Sequence, residues 1–144
     1  YVSMVVSNTP NVTGPDDTLT SYTGKLTHID VVKIPGANTI KVEMKYRTSV
    51  TSSTTGQYIQ VVSGEYNEDT FPSDANKYRY NLTVKTVELE FNNTDTVTFK
   101  YYCNGDAYGG GYYAKCIGYD EEGNYLEGDA EIEVEVPNTL TPSN

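Results

Sequence analysis

Apolar and polar residues alternate along most of this chain with a period of two. The strongest instance runs from residue 38 to 46, where Ile40, Val42 and Met44 alternate with lysine and glutamate. This period places successive side chains on opposite faces of a strand, so the segment predicts a half-buried β-strand. Further strands are predicted at 2–6, 28–34, 58–62, 78–84, 87–91, 97–101, 111–119 and 132–136.

No segment shows an apolar period of 3.6 over ten or more residues, so no helix is predicted. Eight or nine short strands separated by turn signals predict an all-β fold, an antiparallel β-sandwich of jelly-roll type. Clean alternation indicates antiparallel sheets with one solvated face each. We expect a single domain over residues 1–137, with residues 138–144 beginning a linker to the rest of a longer protein.

Residues 96–119 form the most distinctive segment, with two alternating strands around a loop rich in glycine and tyrosine. If the strands pair about the loop's midpoint, Cys103 lies opposite Cys116, Tyr101 opposite Gly118 and Phe99 opposite Asp120. That register would bring the two sulfurs within bridging distance on one face of the sheet, which predicts a disulfide. Two free thiols are the alternative.

Composition narrows the environment and the partners. The net charge is −10 and the isoelectric point is about 4.4, which argues against nucleic acid or anionic membranes as partners. No run of about 18 apolar residues exists, so membrane insertion is not expected. A cysteine pair at hairpin spacing favours an oxidising compartment, and we expect an extracellular protein, secreted or attached to a cell surface.

The order of four segments carries a resemblance to a known family. The segments Asn38–Tyr46, Gln57–Gly64, Val97–Asp106 and Gly111–Tyr119 together resemble CUB and CUB-like domains, including the Tyr-rich versions in surface proteins of Gram-positive bacteria. The resemblance covers residues 28–119. It implies a jelly-roll sandwich that binds proteins or glycans outside the cell, sometimes through Ca²⁺.

The calcium site of that family is not expected here. Calcium-binding members carry acidic residues at three places where this chain has Tyr46 or Arg47, Gln57 and Asn104. Asp106 is the one carboxylate close to an expected position.

The sequence contains few combinations of residues that could support catalysis. The single histidine, His28, lies in a predicted strand and has no patterned serine or cysteine partner for nucleophilic chemistry. A glycosidase would need two carboxyl groups about 5–9.5 Å apart across a cleft. Small antiparallel sandwiches rarely form such a cleft, so we expect a protein that is not an enzyme and has no cofactor.

Acidic residues gather in two predicted loops, Glu65 to Asp74 and Asp120 to Asp129. Neither loop has the twelve-residue spacing of a helix–loop–helix calcium site. A solvated acidic loop is the simpler interpretation, and no metal site is assigned, although a structural calcium stays open.

Tyrosine is the remaining chemical signal, with 14 Tyr against 3 Phe and no Trp. Tyrosine combines a flat apolar face with a hydroxyl, which suits both sugar stacking and protein contacts. Tyr46, Tyr78, Tyr80 and Tyr101 fall on inward-facing positions and are predicted core residues. The candidate ligand platform consists of Asn104, Asp106, Tyr108, Tyr112 and Tyr113. The alternative is that the loop glycines permit a turn and the tyrosines shield a sheet edge.

These features together predict a non-catalytic extracellular binding module that binds polysaccharide or glycan through exposed tyrosines, as a monomer within a larger protein. The absence of Trp counts against carbohydrate, because Trp is the commonest sugar-stacking residue. The alternatives are an adhesion module that binds an extracellular protein and a structural spacer without a ligand. An apolar patch would favour the adhesion module, whereas an aromatic strip with polar neighbours favours glycan binding.

Overall fold

The computed structural model describes residues 3–7, 21–23, 26–48, 57–67, 69–72, 76–79, 83–103, 107–108, 111–124, 126, 131–135 and 141–142. All regular secondary structure in these residues is β-strand. The strands are β1 (Ser3–Ser7), β2 (Ser21–Thr23), β3 (Leu26–Lys33), β4 (Thr39–Arg47), β5 (Gln57–Ser63), β6 (Lys77–Tyr78), β7 (Lys85–Asn92), β8 (Thr96–Cys103), β9 (Ala107–Tyr108), β10 (Gly111–Tyr119), β11 (Glu131–Glu135) and β12 (Thr141–Pro142). For β1, β2, β9, β11 and β12 the description covers the backbone only.

The strands form two larger antiparallel sheets. One sheet has four strands in the order β1-β10-β4-β7, and the other has five in the order β11-β3-β8-β5-β6. The short strands β12, β2 and β9 pair in a third antiparallel sheet. The predicted all-β class and its antiparallel sheets are therefore confirmed for the described residues, and the arrangement is consistent with a β-sandwich.

Strand β4 shows how the alternating pattern builds the fold. Val42 and Met44 are 2% and 0% exposed, whereas Lys41, Glu43 and Lys45, which alternate with them, are exposed. The strand pairs with β10 on one side and with β7 on the other, so its backbone groups find partners along both edges. The predicted half-buried strand over residues 38–46 is confirmed.

The core lies between the inner faces of the two larger sheets. The ring of Phe99 on β8 stacks on the ring of Tyr112 on β10, with centroids 5.3 Å apart and planes at 12°. Those two strands belong to different sheets, so this contact joins the sheets face to face. Burying one such large apolar side chain contributes about 1.5–3 kcal/mol. Aliphatic residues of β3, β4, β5 and β8 complete the same cluster.

Two turns at one end of the sandwich carry the chain between the sheets. The amide of Ile34 donates to the carbonyl of Asp95 at 2.8 Å, and the amide of Thr94 donates to the carbonyl of Asn38 at 3.1 Å. Asn93 adopts a φ of 58°, a left-handed conformation that asparagine tolerates better than most residues. The turn predicted between the strands at 87–91 and 97–101 is confirmed.

The predicted pairing of the two cysteine-bearing strands is wrong. β8 pairs with β3 and β5, whereas β10 pairs with β1 and β4 in the other sheet. Strands that are close in the sequence of a sandwich need not pair, because the chain can cross from one sheet to the other. Tyr101 accordingly lies opposite His28 and Ile59 rather than Gly118.

The predicted disulfide is also wrong, because it depended on the register of that pairing. The backbone of Cys103 lies opposite Leu26 and Gln57, and Cys116 lies opposite Met4 and Val42. Cys116 is a free thiol that is fully buried in the core. Its sulfur therefore acts as a small apolar core group.

The strand predicted over residues 78–84 is shorter than expected. Among the described residues of this segment, the strand is limited to Lys77–Tyr78, and residues 80–82 lie outside the description. Thr83 and Val84 are exposed and belong to no strand, so the alternation at the end of this segment does not mark a buried face.

Candidate functional site

The predicted platform residues fall into three groups. Asn104 and Asp106 lie outside the described residues. Tyr108 and Tyr113 are described by their backbone only: Tyr108 lies opposite Ser21, and Tyr113 lies opposite Lys45 and Ser7. Tyr112 has a described side chain, and it is in the core.

The surface position predicted for Tyr112 is wrong. Its side chain is 0% exposed, and its hydroxyl donates a hydrogen bond to the carboxylate of Asp30 on the opposite sheet. Burial raises the pKa of Tyr112 well above its ordinary value, and the charge of Asp30 raises it further. The sequence carries a signal for this burial, because Ala114 and Cys116 share the parity of Tyr112 whereas Lys115 has the opposite parity.

The other face of this strand opens onto a groove. The outer face of the four-stranded sheet carries a groove of about 420 Å³, lined by side chains of β4, β7 and β10. A shallower groove of about 280 Å³ adjoins it and extends to the turn at residues 120–123. We call the two together the Tyr119 groove, because Tyr119 lines both.

Tyr119 stands where the two parts of the groove meet. Its side chain is half-buried, and the ammonium of Lys41 lies 4.9 Å from its ring centroid. Lys41 also pairs with Glu90 at 3.8 Å, although the two side chains remain 54% and 52% exposed. An exposed cation–π contact contributes about 0.5–1 kcal/mol, so a ligand could displace Lys41 from the ring at small cost.

Polar side chains line the smaller part of the groove together with Tyr119, and hydrogen bonds hold several of them in place. The hydroxyl of Thr39 donates to the amide oxygen of Asn92 at 3.1 Å across the β4–β7 pair. The carboxylate of Asp120 accepts the backbone amides of Glu122 and Asn124 at 2.9 and 3.0 Å. The two bonds from backbone amides to the Asp120 carboxylate hold the turn that follows β10. They therefore fix the position of this carboxylate beside Tyr119.

Negative charge predominates in the groove. Its described lining includes two lysines, Lys41 and Lys115, and five acids, which are Glu43, Glu88, Glu90, Asp120 and Glu121. Glu43 lies directly opposite Glu88, an arrangement that is unfavourable by itself. This excess of negative charge disfavours an anionic ligand. It suits a neutral ligand whose hydroxyl groups can donate hydrogen bonds to the carboxylates.

A second surface lies on the outer face of the five-stranded sheet, which sequence reasoning missed. The rings of Tyr58 and Tyr102 lie 5.0 Å apart with planes at 30°. Lys77, Arg79 and Lys100 each place their charge within 6 Å of the Tyr58 ring. We call these five residues the cation–aromatic patch. Burial raises the pKa of the Tyr58 hydroxyl, and the positive charge of Arg79 opposes that rise.

The loop at residues 64–72 is attached beside this patch. The buried amide of Gln60 donates to the carbonyl of Pro72, and the hydroxyl of Thr98 donates to the carbonyl of Gly64 at 2.7 Å. Within the loop, Tyr66 packs on Phe71 at 5.3 Å. The shared parity of Tyr58, Gln60 and Val62 marks the face of β5 that lies beside this loop, and it is the sequence signal that Tyr58 faces outward.

The described residues contain neither a cluster of three metal-ligating side chains nor a helix suited to crossing a membrane. Of the acidic-loop residues, Glu65, Asp69, Glu121 and Glu122 are exposed and Asp120 is half-buried. Glu68, Asp74, Glu127 and Asp129 lie outside the described residues.

Comparisons with family models, with curated proteins and with solved structures gave no match. The resemblance to CUB-like domains therefore stays a prediction from residue patterns. The functional proposal rests on the geometry and chemistry of the described surfaces.

Proposed function

We propose that this chain is a non-catalytic carbohydrate-binding module that holds a neutral glycan in the Tyr119 groove. The observation that carries the proposal is the position of Tyr119, whose half-buried ring lines both parts of the groove beside amide, hydroxyl and carboxylate groups. The proposal keeps the predicted chemistry, a tyrosine ring with polar neighbours, but assigns it to Tyr119 at the other end of β10 from Tyr112.

The tyrosine ring and the polar side chains of the groove would contact different parts of a sugar. A tyrosine ring offers a flat apolar surface on which the C–H face of a sugar can stack, and it has few torsions to immobilise. Asn92 and Asp120 offer oxygen acceptors for sugar hydroxyls, and Asn38 adds amide donors. Because the groove runs from β4, β7 and β10 to the turn at residues 120–123, a polymer could contact it on both sides of the ring.

The absence of catalysis is part of the proposal. The groove carboxylates Glu43, Glu88 and Glu90 stand on neighbouring strands of an exposed sheet face. A glycosidase pair must instead flank the scissile bond in a cleft, with one carboxyl group shielded enough to stay protonated.

We place the module outside the cell, as a monomeric domain of jelly-roll type within a larger secreted or surface protein. The support is the acidic, tyrosine-rich composition, the antiparallel sheets and the CUB-like order of residues 28–119. An adhesion module for an extracellular protein and a spacer domain remain the alternative functions.

The test is a glycan array followed by affinity gels that contain plant, starch or mucin polysaccharides. We expect retardation by at least one neutral polysaccharide, and we expect Tyr119→Ala to weaken its binding about tenfold, the equivalent of about 1.4 kcal/mol. Tyr102→Ala, which removes a half-buried tyrosine from the opposite face, is the matched control and should bind normally. Unchanged binding by Tyr119→Ala would refute the groove, and no binding to any neutral glycan would favour the alternative functions.

A further inference from the structure

We propose that the cation–aromatic patch is a second ligand site, separate from the Tyr119 groove, and that it takes an anionic glycan bearing carboxylate or sulfate groups. The two surfaces lie on the outer faces of different sheets, so each could be occupied without the other.

The first argument is the concentration of positive charge in an acidic chain. The sequence has 10 Lys and Arg residues against 20 Asp and Glu residues, yet three of those ten cations lie within 6 Å of the ring centroid of Tyr58. The ammonium of Lys77 lies 4.3 Å from the Tyr58 centroid, and the guanidinium of Arg79 lies 5.9 Å from it. Positive charge at this density attracts an anion locally even when the net charge of the protein is negative.

The second argument is the position of Lys100 between three aromatic rings. Its ammonium lies 5.8 Å from the ring centroid of Tyr58, 5.9 Å from that of Tyr102 and 5.4 Å from that of Phe71. The rings hold the charge close to their own faces, so an anionic group that contacts Lys100 is also within reach of an apolar surface. A sugar acid has this combination, because its ring has an apolar face and its substituent is charged.

The third argument is the rigidity of the support. Tyr58 and Tyr102 lie directly opposite each other on paired strands, and Lys77 lies opposite Gln60 on the next strand. The adjoining loop is held to the same face through Gln60 and Thr98. A preorganised array loses less conformational entropy when a ligand binds, which favours affinity.

The shape of the patch favours a sugar polymer over an acidic peptide. Two neighbouring rings on the face of a sheet form a broad platform, whereas extended peptides commonly bind by adding to a strand edge. Arg79 can grip a carboxylate or a sulfate through two parallel hydrogen bonds, and the lysines act as point charges around it. The acidic groove on the other sheet would repel the same ligand, so the two faces select by charge.

The experiment is isothermal titration of the full chain with oligogalacturonate, as the carboxylated probe, and with heparin oligosaccharides, as the sulfated probe. We expect binding to at least one of them, weaker at physiological than at low ionic strength because salt screens exposed charges. The preferred probe identifies the anionic group. Polyglutamate is the third probe, and binding to it as tight as to the glycans would overturn the proposal in favour of an acidic polypeptide.

Matched variants separate the patch from the rest of the surface. Lys77→Gln combined with Arg79→Gln should weaken glycan binding at least about tenfold, since charged hydrogen bonds are among the stronger polar contacts. Lys45→Gln combined with Lys85→Gln removes the same charge from the four-stranded sheet, at exposed positions outside the Tyr119 groove, and should bind normally. Melting curves check that both double variants fold. If the patch variant does not fold, Lys77→Gln alone replaces it.

Two further results would overturn the proposal: no binding to either anionic glycan, or equal losses in the patch variant and in its control. Neither result bears on the Tyr119 groove, which is tested with neutral polysaccharides and Tyr119→Ala. The second site and the proposed function can therefore fail separately.

Discussion

The hydroxyl of Tyr112 on β10 donates a hydrogen bond to the carboxylate of Asp30 on β3, and this bond links the two larger sheets through their shared core. Tyr112 is 0% exposed and Asp30 is 1% exposed, so both polar groups are removed from water. A buried carboxylate is costly unless hydrogen bonds compensate it. The bond therefore fixes the position of one sheet relative to the other more specifically than apolar packing does.

Removal of the Tyr112 hydroxyl should measurably destabilise the fold. Tyr112→Phe keeps the ring that stacks on Phe99 but takes one donor away from the buried Asp30. We expect the free energy of unfolding to fall by about 1–3 kcal/mol, measured by urea denaturation. Tyr102→Phe, at a half-buried surface ring, is the control and should change stability by less than about 0.5 kcal/mol. Equal stability of the two variants would mean that the inter-sheet bond contributes little.

The strand pattern could be predicted from the sequence, because alternation depends on local burial. The segments at 38–46, 87–91 and 97–101 are strands whose apolar residues face the core, as expected. Strand pairing could not be predicted in the same way. Alternation indicates which face of a strand is buried but not which strand lies beside it. A local hairpin between β8 and β10 is therefore as compatible with the alternation as the long-range pairs that form.

The close approach of Gly118 to Ile34 predicts a steric effect. A Cβ at position 118 would lie 2.6 Å from Cγ2 of Ile34, well inside a normal contact distance. Gly118→Ala should therefore lower the free energy of unfolding by about 1–3 kcal/mol, the usual cost of overpacking. In a double-mutant cycle with Ile34→Ala, which removes the clashing methyl group, the two losses should be less than additive. Strict additivity would show that the clash is relieved in another way.

The free thiol of Cys116 predicts that the protein contains two thiols, whereas the sequence led us to expect one disulfide. Denatured, unreduced protein should react with Ellman's reagent at two thiols per chain, one from each cysteine in the sequence. In folded Cys103→Ser, the remaining Cys116 should react much more slowly than in denatured protein, because its sulfur is enclosed in the core. No reaction before reduction and two thiols after it would restore the disulfide and contradict the register.

Stability should also depend on pH through Cys116. Burial raises the pKa of its thiol to about 12, while an unfolded cysteine titrates at about 8.5. The folded thiol keeps its proton where the unfolded one loses it, so this contribution is complete below about pH 8.5 and declines as pH rises toward 12. Between about pH 8 and 9.5, wild type should lose about 1 kcal/mol more stability than Cys116→Ala. Parallel urea midpoints for the two proteins across this window would contradict the linkage.

The candidate sites show a further limit of sequence-based prediction. Tyr119 could be considered from the sequence, because it lies on the return strand with the residues of the predicted platform. The cation–aromatic patch could not, because its members lie on three strands and, for Arg79, directly after β6, and they meet only through the pairing of β5 with β6 and β8. The parity of Tyr58 marks it as outward-facing, but nothing local indicates that Lys77 and Lys100 flank its ring.

The anchor between Gln60 and Pro72 predicts a local change in dynamics. Gln60→Met keeps the approximate volume of this buried side chain but removes the donor to the Pro72 carbonyl, which otherwise holds the loop against β5. We expect faster amide exchange across residues 64–72 and a loss of about 1–2 kcal/mol in the free energy of unfolding. Amides of β4, in the other sheet, should keep their relative protection, and Thr39→Val in the Tyr119 groove should leave the loop unchanged. Uniformly faster exchange would indicate global destabilisation instead. A local change would show that one buried amide determines how firmly the loop lies beside the cation–aromatic patch.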